Sequence, residues 1–260
     1  MLKSGAHPSV VDFGVSSINA LRGRDRLIVA LDVPTVEDAL DAVDRLEDVT
    51  FFKIGLQLFL TGGLPDLLRA LADELVFVDL KVPGDIANTI AAVIDFCARA
   101  HVRFLTLSES MPVPAVRAAR SARDAMNSAY PKLLTVPFLS SLGADDLPLV
   151  SQGDQDLDAY ILKRAQAAIA AGCDGIIASG KAIGVCRRAF PLPVVIVSPG
   201  IRPAGGSTDD HKRHTTPSEA IRLGADYLVV GRPILRAPSP ADAAGRMMAE
   251  IDAALADRRD

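Results

Sequence analysis

Tryptophan is absent from this chain, and its 260 residues include only 3 tyrosines and 3 cysteines. With so few aromatic platforms and a formal net charge of −4, the chain has neither the stacking surface nor the basic excess that nucleic acid requires, and that partner is excluded. No apolar run approaches the roughly eighteen residues that suggest a membrane helix, so no membrane partner is expected. Residues 1–26 show no apolar core followed by a small-residue cleavage site. They are expected to form an N-terminal extension, either a short helix before the main domain or a partly disordered segment. Cys97, Cys173 and Cys186 are odd in number and widely spaced. They predict buried thiols in a reducing compartment, the cytoplasm. No Cys/His spacing suggests zinc.

What the chain has instead is a regular alternation. Short β-branched runs at 27–32, 51–54, 76–81, 104–107, 133–136, 175–178, 194–198 and 227–230 read as strands. Between them lie helical patterns such as 36–46, 64–75, 86–100, 114–129 and 157–171. Thr35 stands where an N-cap belongs, followed by Glu37 and Asp38 in the first turn. Gly172 and Gly224 stand where helices should stop. Eight strands with helices between them predict an α/β protein with a parallel sheet closed into a (β/α)8 TIM barrel, one domain spanning 27–260. An open doubly wound sheet is the rival. It would carry a Gly-rich turn after the first strand, where this chain has Asp32-Val33-Pro34-Thr35.

Charge interrupts three of these strands. Lys53 lies in Phe51-Phe52-Lys53-Ile54-Gly55, and Asp79 and Lys81 lie in Val76-Phe77-Val78-Asp79-Leu80-Lys81. A buried strand carries charge only when the charge is paired. Asp32, Lys53, Asp79 and Lys81 would meet at the C-terminal mouth of a barrel, where active sites of this fold sit. A salt-bridged plug explains any one pair more readily than four charges at that face. Two glycine-bearing loops, Ser198-Pro199-Gly200-Ile201-Arg202-Pro203 and Val230-Gly231-Arg232-Pro233, follow the last two strands. That is the phosphate corner of the fold, and arginine offers a fork matched to phosphate oxygens. Arg202 reads equally well as a solvated loop charge. Ser140 and Ser141 follow the fifth strand; one hydroxyl can meet a heterocycle edge, while Ser141 also fits the N-cap of a helix starting at Leu142. His211 and His214 lie in the long polar loop 199–216, where most histidines are solvated.

These segments, in order from about Leu27 to Ile234, resemble the orotidine 5′-phosphate decarboxylase family. The resemblance rests on Asp79-Leu80-Lys81 followed by Asp85-Ile86-Ala87-Asn88-Thr89, and on the two phosphate-type loops. It implies a carboxy-lyase of pyrimidine (UMP) biosynthesis, without metal or organic cofactor, acting as a homodimer with a shared active site. By resemblance, Lys81 would be the proton donor to C6, and Asp79 would face the substrate carboxylate. Lys53 would hold the charge network and a ribose hydroxyl, and Asp85 would enter the neighbouring subunit's site. Asp32 and Thr89 would contact ribose, Ser140 the base edge and Arg232 the phosphate. Ile86, Arg202, Pro203, His211 and Gly231 complete the implied substrate contacts.

Three positions depart from the family pattern. Three residues, Val82-Pro83-Gly84, separate Lys81 from Asp85 where two are usual, and a bulge permitted by Gly84 would absorb the extra one. His211 stands where a glutamine is usual, and Ser108 where a histidine is usual. Two other readings stay open. A Mg-dependent sugar-phosphate decarboxylase or aldolase of the same superfamily would need an acidic residue on the second strand, where this chain has Lys53. A non-catalytic nucleotide-phosphate-binding barrel would bind UMP-like ligands without turnover.

Overall fold

The structure, a computed structural model, describes residues 15–151, 153–154, 156–203 and 214–257. Its centre is a closed barrel of parallel strands in chain order: β1 (Leu27–Ala30), β2 (Phe51–Gly55), β3 (Leu75–Val82), β4 (Phe104–Leu107), β5 (Lys132–Thr135), β6 (Gly175–Ile177), β7 (Val195–Ser198) and β8 (Tyr227–Val230). β8 closes on β1, with Leu27 beside Leu228 and Val29 beside Val230. Each strand expected from the sequence is present within two residues of its expected bounds, and the (β/α)8 barrel is the fold.

Alternation along the strands builds two cores. Leu27, Val29 and Leu31 face outward into the layer beneath the helices, while Ile28 and Ala30 face the barrel interior with Phe51, Phe77, Phe104, Leu134, Val197, Tyr227 and Val229. The interior aromatics interlock, Phe51 with Phe104 at 5.3 Å and Phe104 with Tyr227 at 5.2 Å between centroids, within the range of favourable aromatic pairs. Ile18 and Leu21, from the segment before β1, belong to the same cluster. They close the floor of the barrel.

The outer helices follow their predicted signals. Thr35 caps the helix Val36–Asp44, its side chain accepting from the Asp38 N–H at 3.1 Å. The helices Leu157–Ala171 and Pro217–Leu223 end at Gly172 and Gly224, both left-handed at φ 117° and 109°. Two helices stop more than two residues short of the end the periodicity predicts. Leu64–Ala70 gives way to a turn, and Leu75 already pairs with Phe51 as the first residue of β3. Val113–Ala125 ends before Asn127, which is left-handed at φ 52°. Ser141 does not cap a helix: the next helical turn, Ala144–Asp146, starts behind Gly143. No helix among the described residues is long and apolar enough to cross a membrane.

Candidate active site

The alternation that stacks aromatics in the lower barrel carries charge into the upper barrel. Two residues above Ala30, Phe51 and Phe77 come Asp32, Lys53 and Asp79, and two above Asp79 comes Lys81. All four line a cavity of about 640 Å³ at the C-terminal mouth, with Ala30, Phe77 and Val229 as its floor. That volume suits a small-molecule ligand.

The charges form one connected network. Lys53 is buried, and its Nζ lies 2.9 Å from Asp32 Oδ1 and 3.7 Å from Asp79 Oδ2. Lys81 Nζ lies 3.0 Å from Asp79 Oδ1. The buried ammonium of Lys53 thus has two counter-charges, as desolvation demands. A Cβ on Gly55 would sit 3.1 Å from both Lys53 Nζ and Asp32 Oδ1, so glycine at the end of β2 leaves that pair its room. Burial alone would raise the Asp79 carboxyl, but Lys53, Lys81 and a hydrogen bond from Thr106 outweigh it and hold it below its ordinary value.

Thr106, in β4, was not foreseen as part of this network. Its hydroxyl donates to Asp79 Oδ1 at 2.8 Å and accepts from the Lys81 N–H at 2.9 Å. Within Phe104-Leu105-Thr106-Leu107 it reads as one more buried strand residue, and only the register across β3 and β4 reveals its place. That register shifts between Val78 and Val82. Lys81 sits in the shifted stretch at φ 50°, a conformation that costs a non-glycine residue about 1–3 kcal/mol.

The expected bulge at Gly84 is therefore displaced: the irregularity lies earlier, and Lys81 has the left-handed backbone. Gly84 serves another purpose, since a Cβ there would fall 2.3 Å from Pro112 Cδ. Val82 is recovered into the sheet beside Leu107, and Pro83 to Ile86 run exposed to the helix Ala87–Arg99.

On the β7–β8 side, Pro199, Gly200, Arg202, Gly231 and Arg232 line the same cavity, joined by Arg236. Arg202 is buried rather than solvated. Its N–H donates to the Thr215 carbonyl at 3.0 Å, and its Nη1 donates to the Ile201 carbonyl at 2.9 Å. Arg236 was missed because it lies beyond the Gly231-Arg232-Pro233 motif; the short helix Arg232–Leu235 returns it to the mouth. Ser140 and Ser141 enter from the turn after β5.

Asp85, Ile86 and Thr89 do not line this cavity, and neither does Pro203. Asp85 Oδ1 accepts from the adjacent Ile86 N–H at 2.7 Å, and residues 83–89 are exposed. His211 lies outside the described residues. Ser108 does not reach the mouth: it lines a separate cavity, bonded to Glu109 at 3.1 Å and Ser110 at 2.9 Å. No group of three or more His, Cys, Asp or Glu side chains is arranged to hold a metal among the described residues.

The family model described as Orotidine 5′-phosphate decarboxylase / HUMPS family matches residues 25–247. The chain belongs to this family. The orotidine 5′-phosphate decarboxylase of Stenotrophomonas maltophilia is 44% identical over 241 residues, 92% of this chain and 97% of that protein. The protein of the same name from Bradyrhizobium diazoefficiens is 41% identical over 237 residues, covering 89% and 96%. The crystal structure of orotidine 5′-phosphate decarboxylase from Lactobacillus acidophilus superposes with a TM-score of 0.75 at 30% identity, covering 88% of this chain and all of that one. Family membership thus extends across the barrel from before β1 to the last helix, and includes both the charge network and the arginine-bearing loops.

Proposed function

We propose that this protein is an orotidine 5′-phosphate decarboxylase that converts OMP to UMP for pyrimidine synthesis without metal or organic cofactor. The observation that carries the reading is the Asp32–Lys53–Asp79–Lys81 network at one mouth with Arg202 and Arg232, in a chain of this family.

The chemistry demands such an array. Breaking the C6–CO₂ bond leaves its electron pair on a vinylic carbon with no cofactor to delocalise it. A fixed ammonium beside C6 stabilises that charge and then supplies the proton. Lys81 takes this role: it is held against Asp79, yet its side chain remains 42% exposed to the cavity. CO₂ leaves, C6 gains the Lys81 proton, and the resulting amine is reprotonated by solvent. Asp79 fixes Lys81 and faces the substrate carboxylate. Lys53 and Asp32 hold ribose hydroxyls, Ser140 meets the base edge, and Arg232 and Arg202 grip the phosphate. Binding energy at the phosphate, far from C6, organises the charges that act there. A Mg-dependent reaction is disfavoured at this site because Lys53 occupies the position where an acidic ligand would be needed.

Asp85, Ile86 and Thr89 act in the site of a second copy. Two facts support this: they are exposed outside their own cavity, and the apolar side chain of Ile86 among them is 68% exposed, as suits burial against a second copy. The buried, unbridged cysteines fit the cytoplasm.

The test is the loss of OMP absorbance with purified protein, with and without a chelator. Chelator-insensitive conversion to UMP is expected. Lys81→Ala should lower turnover by at least about a thousandfold while UMP binding changes little. UMP binding without turnover by the wild type would replace this reading with a non-catalytic nucleotide barrel.

A further inference from the structure

In the regular parts of the β3–β4 ladder, residues face one another singly: Phe77 beside Phe104 and Val78 beside Leu105. The next pair is Val82 beside Leu107. Three residues of β3, Asp79, Leu80 and Lys81, therefore lie opposite Thr106 alone. The surplus puts Lys81 into the left-handed region at φ 50°. Its N–H finds its acceptor in the Thr106 hydroxyl at 2.9 Å. The same hydroxyl has one proton to give, and it goes to Asp79 Oδ1 at 2.8 Å, the oxygen that also holds Lys81 Nζ at 3.0 Å. Thr106 is 1% exposed and does not line the cavity, so substrate does not reach it.

We infer that Thr106 is a positioning residue: its hydroxyl pins the β3 bulge and so aims the Lys81 ammonium, with Asp79 as the shared partner. The assignment deepens the proposed decarboxylase reading and rests on it for its kinetic consequence, though not for its geometry.

Valine matches threonine in shape but leaves the Lys81 N–H without its acceptor and Asp79 without its donor. Serine keeps both hydrogen bonds. The groups facing Asp79 are Lys53 from β2, Lys81 from its own strand and Thr106 from β4, with Asp32 reached through Lys53. Removing the Thr106 donor removes one of the influences that hold the Asp79 carboxyl low, so that group should titrate at higher pH in Thr106→Val.

The experiment compares wild type, Thr106→Val and Thr106→Ser, after thermal melts show all three folded at the assay temperature. The first readout uses no substrate: the Asp79 side-chain carboxyl is followed by carbon NMR across pH. Thr106→Val is expected to move its midpoint upward, and Thr106→Ser to restore it. The second is kinetic. For Thr106→Val, kcat should fall roughly a hundredfold, the scale of a small misplacement of a reacting group, while KM stays within about threefold. The acid limb of the kcat profile should shift upward with the NMR midpoint, and serine should recover most of the rate. A valine variant whose Asp79 titration matches wild type would overturn the assignment, as would equal loss of rate in the serine and valine variants. If the wild type turns over no OMP, the decarboxylase reading fails while the NMR comparison still decides the role of Thr106.

Discussion

Asp79 carries opposing demands. It is largely withdrawn from water, which disfavours its charge, yet two ammonium groups and one hydroxyl hold it ionised below the ordinary aspartate range. The sign of its stability contribution follows. A carboxyl depressed in the folded state stabilises the fold at pH above its unfolded value, and that contribution disappears as pH falls through the depressed folded value. Asp79→Asn should therefore destabilise the protein most near neutrality, by on the order of 3 kcal/mol, because Lys53 is left buried with Asp32 as its remaining counter-charge in the network. Urea unfolding at neutral pH and at several points below the ordinary aspartate range measures the difference. A gap between wild type and variant that widens on acidification would contradict this account.

At the scale of elements, the segment before β1 is a working part of the barrel. Arg26 is buried, and its guanidinium donates to the carbonyls of Leu21 at 3.2 Å, Asp226 at 2.9 Å and Ile18 at 2.6 Å. It ties the helix Val15–Ala20 to the start of β8 beneath the aromatic layer. Gly23 continues the seal: its N–H donates to Asp252 Oδ1 at 2.8 Å, and a Cβ there would strike the Met248 carbonyl oxygen at 2.2 Å. Arg26→Ala removes the guanidinium donor from the Leu21 and Asp226 carbonyls, while the Ile18 carbonyl keeps the Leu21 N–H at 3.2 Å. It should lower stability by about 3 kcal/mol, a fall in melting temperature of roughly 6–12 °C for a chain of this size. The mouth is at the far end, so kcat measured well below the melt should be unchanged; a variant that melts with the wild type would show the floor to be dispensable. In sequence, Arg26 is one basic residue among several in a polar stretch, and nothing local marks it as a plug. The strands, by contrast, were legible because β-branched runs and helical spacing are local signals. Asp32, Lys53, Asp79 and Lys81 were legible because charge is conspicuous in such runs. Thr106, the displaced bulge and the service Gly84 gives to Pro112 depend on which strand or loop lies opposite, and no window along the chain contains that information.

At the scale of the whole molecule, the mouth and the exposed segment after β3 suggest that the proposed site takes residues from two chains. Lys81 and Asp79 line the cavity of their own chain, whereas Asp85 stands outside it, next to the exposed apolar Ile86. In the dimer proposed above, a defect at Lys81 and a defect at Asp85 on the same chain fall into different sites. Lys81→Ala and Asp85→Asn should each be nearly inactive alone. Coexpressed in equal amounts, the two chains give mixed dimers for about half the population. Each mixed dimer has one site carrying both defects and one carrying neither, so activity should return to about a quarter of wild type. Size-exclusion chromatography of the mixture fixes the assembly state on which that arithmetic rests. Activity no greater than the sum of the two parents, in a preparation that is dimeric, would mean that Asp85 serves its own chain or none, and the segment after β3 would then have to move toward its own mouth to take part.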